Sequence, residues 1–232
     1  MPVAIITGAS KGLGRALAVA LARSGWDLVL DARTAPALEG AAGEARAYGT
    51  RVVALTGDVT DAVHREELVT AAAGLGALDL LVCNASALGA EPLVRLDALP
   101  LHGLRTALET NVVAALGLVQ RALPLLRAGT PGAVITVSSD AAAEAYGTWG
   151  GYGASKAALD QLAAVLAVEE PELRVWSVDP GDMGTDLYTA AVPDDPDPRP
   201  NPESVVPGFL RLLERRPPSG RYTAPALRDV TV

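Results

Sequence analysis

Residues 3–31 read VAIITGASKGLGRALAVALARSGWDLVLD, and their pattern decides the architecture. A short unbroken apolar run (VAIIT, 3–7) meets a turn holding Gly8, Gly12 and Gly14. An Ala- and Leu-rich stretch of helical spacing follows (12–24), and then a second apolar run (DLVLD, 27–31). Runs too short for helices, apolar on both faces and separated by a helix, describe a strand–helix–strand unit whose strands lie parallel in a covered sheet. Glycines at the first strand-to-helix turn let the backbone approach a pyrophosphate, and the free N–H groups that open the helix carry partial positive charge toward it.

The alternation continues outward from this unit. Further buried strands are expected at RVVAL (51–55), DLLVC (79–83), AVITVSS (133–139) and RVWSV (174–178). Helices are expected at 36–47, 61–74, 100–128 and 152–169, with another over 203–216 before a final short segment near GRYTAP. Right-handed crossovers put helices on both sides of such a sheet. The fold class is therefore α/β: a Rossmann-type, doubly wound parallel sheet in three αβα layers, forming a single domain over 1–232. Ligands in this architecture bind beyond the carboxyl ends of the strands. Residues 182–203 carry five prolines and six acidic residues and break the alternation; they are read as a flexible substrate-loop insertion.

Composition narrows the function. The net charge of −8 argues against nucleic acid and against anionic membrane surfaces as partners. No apolar stretch is long enough to span a bilayer, and no basic segment precedes the first apolar run, so a cytoplasmic protein without a secretory signal is expected. The single Cys83 cannot form an internal disulfide and reads as a small buried strand residue. His64 and His102 fall in helical stretches and are read as helix-surface residues, and no metal is expected.

A second stretch, WGGYGASK (149–156), raises a question of proton chemistry. Tyr152 and Lys156 are four residues apart at a helix start and so share a face. A tyrosine with a reference pKa near 10 needs a fall of about three units, roughly 4 kcal/mol, to ionise near neutral pH. A unit charge at ~4 Å supplies about that much only where the effective dielectric is near 20. Lys156 would therefore have to act in a partly desolvated cleft.

Taken together, TGASKGLG (7–14), GDV (57–59), CNAS (83–86), Asn111, VSS (137–139), YGASK (152–156) and PGDMGT (180–185) stand in an order that closely resembles the classical short-chain dehydrogenase/reductase family, over residues 3 to about 186. The resemblance implies that Gly8, Ser10, Lys11, Gly12, Leu13 and Gly14 surround a dinucleotide pyrophosphate. It implies that Asp58, assisted by the Val59 backbone, meets the adenine. Asn84 and Ala85 would stand by the nicotinamide ribose, with Ser86 where glycine is usual, and Pro180, Gly181 and Thr185 would wrap the carboxamide. It further implies a catalytic set of Asn111, Ser139, Tyr152 and Lys156, in which Ser139 holds a carbonyl oxygen, Tyr152 is the general acid/base, Lys156 binds the ribose, and Asn111 orders a water. Ser138 would face away.

The acid that selects NAD(H) in the family falls at position 32, here Ala32, while Asp31 lies one residue earlier and should point to the other side of the strand. Arg33 falls where NADP-preferring members carry a phosphate-binding arginine, and Lys11 where they carry a second cation. NADP(H) is thus the expected cofactor, with NAD(H) the alternative if the strand end shifts by one residue. The expected activity is reversible hydride transfer between a small-molecule ketone or aldehyde and an alcohol. The alternative function is a non-catalytic NADP(H)-binding redox sensor or scaffold. Loops 86–98, 140–151 and 182–200 would line the pocket, where Tyr146, Trp149, Met183 and Leu187 suggest a partly apolar ligand. A homodimer or homotetramer is implied, packed through 112–126 and 157–168.

Overall fold

The computed structural model describes residues 1–128 and 132–229. Seven parallel strands, β1 (Val3–Ile6), β2 (Asp27–Ala32), β3 (Val52–Thr56), β4 (Leu80–Cys83), β5 (Ala133–Val137), β6 (Arg174–Asp179) and β7 (Gly220–Thr223), form one sheet in the order β3-β2-β1-β4-β5-β6-β7. Chain order reverses between β1 and β4, so the crevice of the doubly wound fold opens above their carboxyl ends. Helices α1 (Gly12–Arg23), α2 (Ala35–Arg46), α3 (Ala62–Leu75), α4 (Leu101–Leu108), α5 (Ala114–Ala128), α6 (Gly150–Glu169), α7 (Asp186–Ala191), α8 (Val206–Arg215) and α9 (Ala224–Asp229) complete the chain.

Period-two alternation divides the apolar strands between two cores. Ala4, Ile6, Leu28 and Leu30 pack with α1, α2 and α8 on one face, and Trp176 and Phe209 lie in the same cluster. Val3, Ile5 and Val29 pack with α3, α5 and α6 on the other. Every residue of β1, β2, β4 and β5 is buried, as continuous apolar runs require. β3 departs from that expectation: as an edge strand it is only half buried, and Thr56 is exposed. Phe209 fills the core beneath α8 at 1% exposure. Phe209→Ala should therefore cost about 3–5 kcal/mol and lower Tm by roughly 6–20 °C in a thermal melt.

Three elements differ from the sequence expectation. The helix expected over 100–128 is interrupted at Glu109–Val113 by a wider π-helical turn. Asn111 lies in that turn and is its buried residue. Within 182–203 the chain forms the short helix α7, capped by Thr185, whose hydroxyl accepts from the Tyr188 N–H. Arg199 then bonds to Tyr188 and to Asp195 at 2.6 Å, which ties the proline-rich return to α7. β7 and α9 complete the far edge of the sheet. β7 falls in the short segment expected near GRYTAP; it begins at glycine and carries Arg221.

Candidate functional site

At the carboxyl ends of β1, β4, β5 and β6 a single cleft of about 1020 Å³ runs from the turn after β2 to α7. The first glycine turn forms its floor. Gly8 and Gly12 hold φ of +64° and +55°, a region open to glycine at little cost. A β-carbon on Gly14 would overlap the Gly8 carbonyl and lie 2.6 Å from Asn84 Nδ2, so backbone and the neighbouring turn close up without side chains between them. α1 opens without a side-chain cap and without an acidic residue in its first turn. Its leading N–H groups and dipole are thus left for an anion. This cradle fits a dinucleotide pyrophosphate.

The turn after β4 is stitched to the same floor. Thr7 Oγ1 accepts from the Asn84 and Ala85 N–H groups at 3.0 Å each, and Asn84 Nδ2 donates to Thr7 O at 2.8 Å. Ser86, which stands where glycine is usual, donates its hydroxyl to Asn111 Oδ1 at 3.2 Å. Asn111 also accepts from the Ala87 N–H at 2.8 Å and donates to Ala87 O at 2.9 Å and Ser155 Oγ at 2.8 Å. Ser155, fully buried, donates in turn to Tyr152 O. Asn111 therefore joins the β4 turn to the helix bearing Tyr152 and Lys156.

Tyr152 and Lys156 do lie together on α6, both buried, with Lys156 Nζ 5.5 Å from the Tyr152 ring centroid. Trp149 packs edge-on against the ring at 5.7 Å. The ammonium donates to Val137 O at 2.7 Å rather than to the phenol. Burial lowers the Lys156 pKa to about 8, with Asp160 and Cys83 opposing, so the group is still charged at neutral pH. The depressed phenol pKa expected from the sequence is not what this structure has. Burial pushes Tyr152 above its ordinary value, a hydrogen bond with Ser86 offsets part of this, and Asp140 and Asp179 add to the rise. Desolvation outweighs the distant cation.

Ser139 stands at the end of β5 and lines the same cleft; its hydroxyl donates to Asp140 Oδ1 at 3.0 Å and accepts from the Ala141 N–H. Ser138 turns away, donating to Asp160 Oδ2 at 2.8 Å. Asp160 also accepts from Ser177 and, at 3.0 Å, from Arg221 Nε, while Arg221 Nη2 donates to Ser139 O at 2.9 Å. This network ties β5, β6, β7 and α6 around Ser139. Nothing in the sequence singled out Asp160 or Arg221, because their partners lie far along the chain. Pro180, Gly181 and Thr185 line the wall above β6, with the Gly181 N–H donating to Asp179 Oδ1 at 2.9 Å.

At the opposite end, Ser10, Leu13, Arg33, Asp58 and Val59 line the cleft. Arg33 is exposed and is one of the charges holding the Asp58 carboxyl below its usual range, after the Thr60 N–H. Asp58 Oδ1 is engaged by Thr60 within its own turn. Lys11 lines the cleft mouth, where its exposed ammonium meets Asp186 at 2.7 Å. His64 corrects the surface reading: it is buried at 4% exposure, with Nε2 2.6 Å from Asp31 Oδ1. α3 turns this face toward β2 and Gly57, so the polar ring finds a carboxylate inside. His102 is exposed as expected. Cys83 is buried, and burial raises its thiol to about 12. No His, Cys, Asp and Glu cluster suited to a metal occurs among the described residues, and no helix among them is long and apolar enough to cross a membrane.

A doubly wound sheet with a glycine cradle at its reversal point, and a buried Tyr–Lys pair beside a serine farther along the same cleft, defines a dinucleotide-binding oxidoreductase. Comparison makes this specific. The chain belongs to the short chain dehydrogenase family, which it matches over residues 2–196. It is an NAD(P)-dependent oxidoreductase acting on CH–OH/C=O groups. Over 188 residues it is 35% identical to an uncharacterized oxidoreductase of Saccharomyces cerevisiae, covering 80% of this chain and 72% of that protein. It is 34% identical over 187 residues to the D-erythrulose reductase of Gallus gallus, covering 79% and 72%. A solved alcohol dehydrogenase from the archaeon Thermococcus sibiricus, complexed with 5-hydroxy-NADP, superposes with a TM-score of 0.86 at 28% identity, covering 96% of this chain and 95% of that one.

Proposed function

We propose that this chain interconverts a ketone or aldehyde with an alcohol, prefers NADP(H), and uses Tyr152 as its general acid and base. The observation that carries this reading is the convergence of Ser139, Tyr152 and Lys156 on one cleft with the glycine cradle. The cofactor, when bound, supplies or removes the hydride. Gly8, Ser10, Gly12, Leu13 and Gly14 would hold its pyrophosphate, with Asn84, Ala85, Pro180, Gly181 and Thr185 around its nicotinamide end and Asp58 and Val59 at its adenine end.

The chain's own residues do the rest. Burial keeps the Tyr152 phenol protonated, which is the form that donates a proton to a carbonyl oxygen during reduction. Ser139 holds that oxygen with its hydroxyl, and its own position is set by Asp140 and the Ala141 N–H. Lys156, charged at neutral pH, stabilises the phenolate left behind. Asn111 positions the β4 turn against α6. Leu88, Leu93, Ala141 and Ala191 cluster with Tyr152, and Trp149 and Leu187 pack against them, so the substrate end is partly apolar. Met183, Leu187, Tyr188 and Val192 form its outer wall.

NADP(H) preference rests on Arg33, exposed at the adenine end, with Ala32 in place of an acid. Lys11, exposed at the cleft mouth beside Asp186, is the second cation available to a 2′-phosphate. Assembly into a homodimer or homotetramer is supported by Leu116, Val165 and Val168, exposed apolar residues on α5 and α6. Two-cofactor kinetics with a panel of ketones and aldehydes tests the reading. NADPH should be oxidised with a KM at least tenfold below that of NADH. Arg33→Ala should raise the NADPH KM by about 10–100-fold and leave NADH unchanged, through loss of a charge-assisted contact worth about 1.5–3 kcal/mol. Consumption of neither cofactor with any carbonyl in the panel would refute the assignment.

A further inference from the structure

Burial of a carboxylate at the end of β2 needs an explanation in a protein read as accepting a 2′-phosphate. Asp31 is 1% exposed, and its backbone carbonyl accepts from the Ala9 N–H at 2.8 Å, so it is locked beneath the first glycine turn. Its Oδ2 lies 3.5 Å from the Gly8 N–H, a weak contact. Its Oδ1 lies 2.6 Å from His64 Nε2, its one close side-chain partner among the described residues. His64 reaches it from the first turn of α3 through a gap that exists because residue 57 is glycine: any β-carbon there would overlap the imidazole ring. The other ring nitrogen, Nδ1, faces Glu67 at 3.5 Å. Two residues after Asp31, Arg33 stands exposed at the cleft.

We propose that His64 determines cofactor specificity by holding the Asp31 carboxylate beneath Gly8 and away from the ribose subsite. The proposal rests on the NADP(H) reading above. A carboxylate at the end of β2 favours an unmodified ribose, because it accepts from the 2′-hydroxyl and repels a 2′-phosphate. A buried carboxylate that loses its partner gains most by turning toward solvent, and the open direction here is the cleft that Asp31 borders. His64 removes that option. The same sequence can then carry an acid at position 31 and a phosphate-binding arginine at position 33. Burial raises the Asp31 pKa and His64 opposes the rise, in keeping with a charge that depends on this partner.

The test is equilibrium binding of NADPH and NADH, followed by nucleotide fluorescence without substrate, in wild type, His64→Ala and the double variant Asp31→Asn/His64→Ala. His64→Ala should shift the NADPH-to-NADH preference toward NADH by about tenfold or more, mainly by weakening NADPH, since a newly presented like charge is strongly unfavourable. Neutralising Asp31 in the double variant should restore the wild-type ratio. Proportional weakening of both cofactors, or an unchanged ratio, would overturn the proposal and leave His64 a packing residue. If His64→Ala does not fold, Asp31→Asn alone decides. A ratio within about threefold of wild type is expected for a carboxylate already turned away, and a large gain for NADPH would overturn the idea. Wild type preferring NADH would instead defeat the cofactor reading, whereas a further shift toward NADH in His64→Ala would still support the His64 restraint.

Discussion

Tyr152→Phe should lower kcat by about 10²–10⁴-fold, the range that loss of a positioned general acid produces, while leaving the Kd for NADPH within about twofold. The substitution removes one oxygen and keeps the ring. The edge-on contact with Trp149 and the cluster formed with Leu88, Leu93, Ala141 and Ala191 depend on the ring alone, so the fold should be unchanged. The Ser155 hydroxyl bonds to the Tyr152 carbonyl, which the variant retains. What disappears is a phenol that burial keeps protonated beside a buried ammonium. Steady-state rates in the carbonyl-reducing direction, paired with cofactor titration, check both halves. A kcat within tenfold of wild type would mean that the proton comes from elsewhere.

The second large effect is expected at a residue with no side chain at all. Gly14→Ala would drive a methyl group into the Gly8 carbonyl and the Asn84 amide, neither of which can retreat. Gly8 is held by its own positive φ, and Asn84 by bonds to Thr7 O and Gly8 O. Overpacking of this kind costs about 1–3 kcal/mol or more, which corresponds to a fall in Tm of roughly 2–12 °C for a chain of this size. The floor of the pyrophosphate cradle and the Asn84 turn move together, so NADPH affinity should fall by at least a hundredfold even in the fraction that folds. Thermal melts and cofactor titration measure the two effects separately. Wild-type affinity in a folded Gly14→Ala protein would show that the anion is bound elsewhere.

Much of the site could be read from the chain because it is encoded locally. The glycines that open α1 sit within a few residues of one another, Tyr152 and Lys156 are one helical turn apart, and Ser139 follows directly from an apolar strand. The electrostatics read less well. A cation four residues from a phenol suggested a lowered pKa, but the side chains spend their contacts differently: Lys156 bonds to Val137 O, and burial governs Tyr152. Lys11, placed by its motif at the cleft, also meets Asp186, on a helix that no periodicity announced. α9 went unread for a related reason, since a helix of six residues is too short to set a period.

By itself the sequence determined the alternation of strands and helices, the parallel sheet and the side chains proposed to react, because hydrophobic period and motif spacing act over one or two turns of chain. Tertiary structure alone decided which distant groups would meet: His64 with Asp31 across 33 residues, Asn111 with Ser155 across 44, and Arg221 with Asp160 across 61. Those contacts arise where crossovers bring separate strand ends and helices to one edge of the sheet. A buried polar group left there without a partner would be costly, so each takes the one that topology supplies.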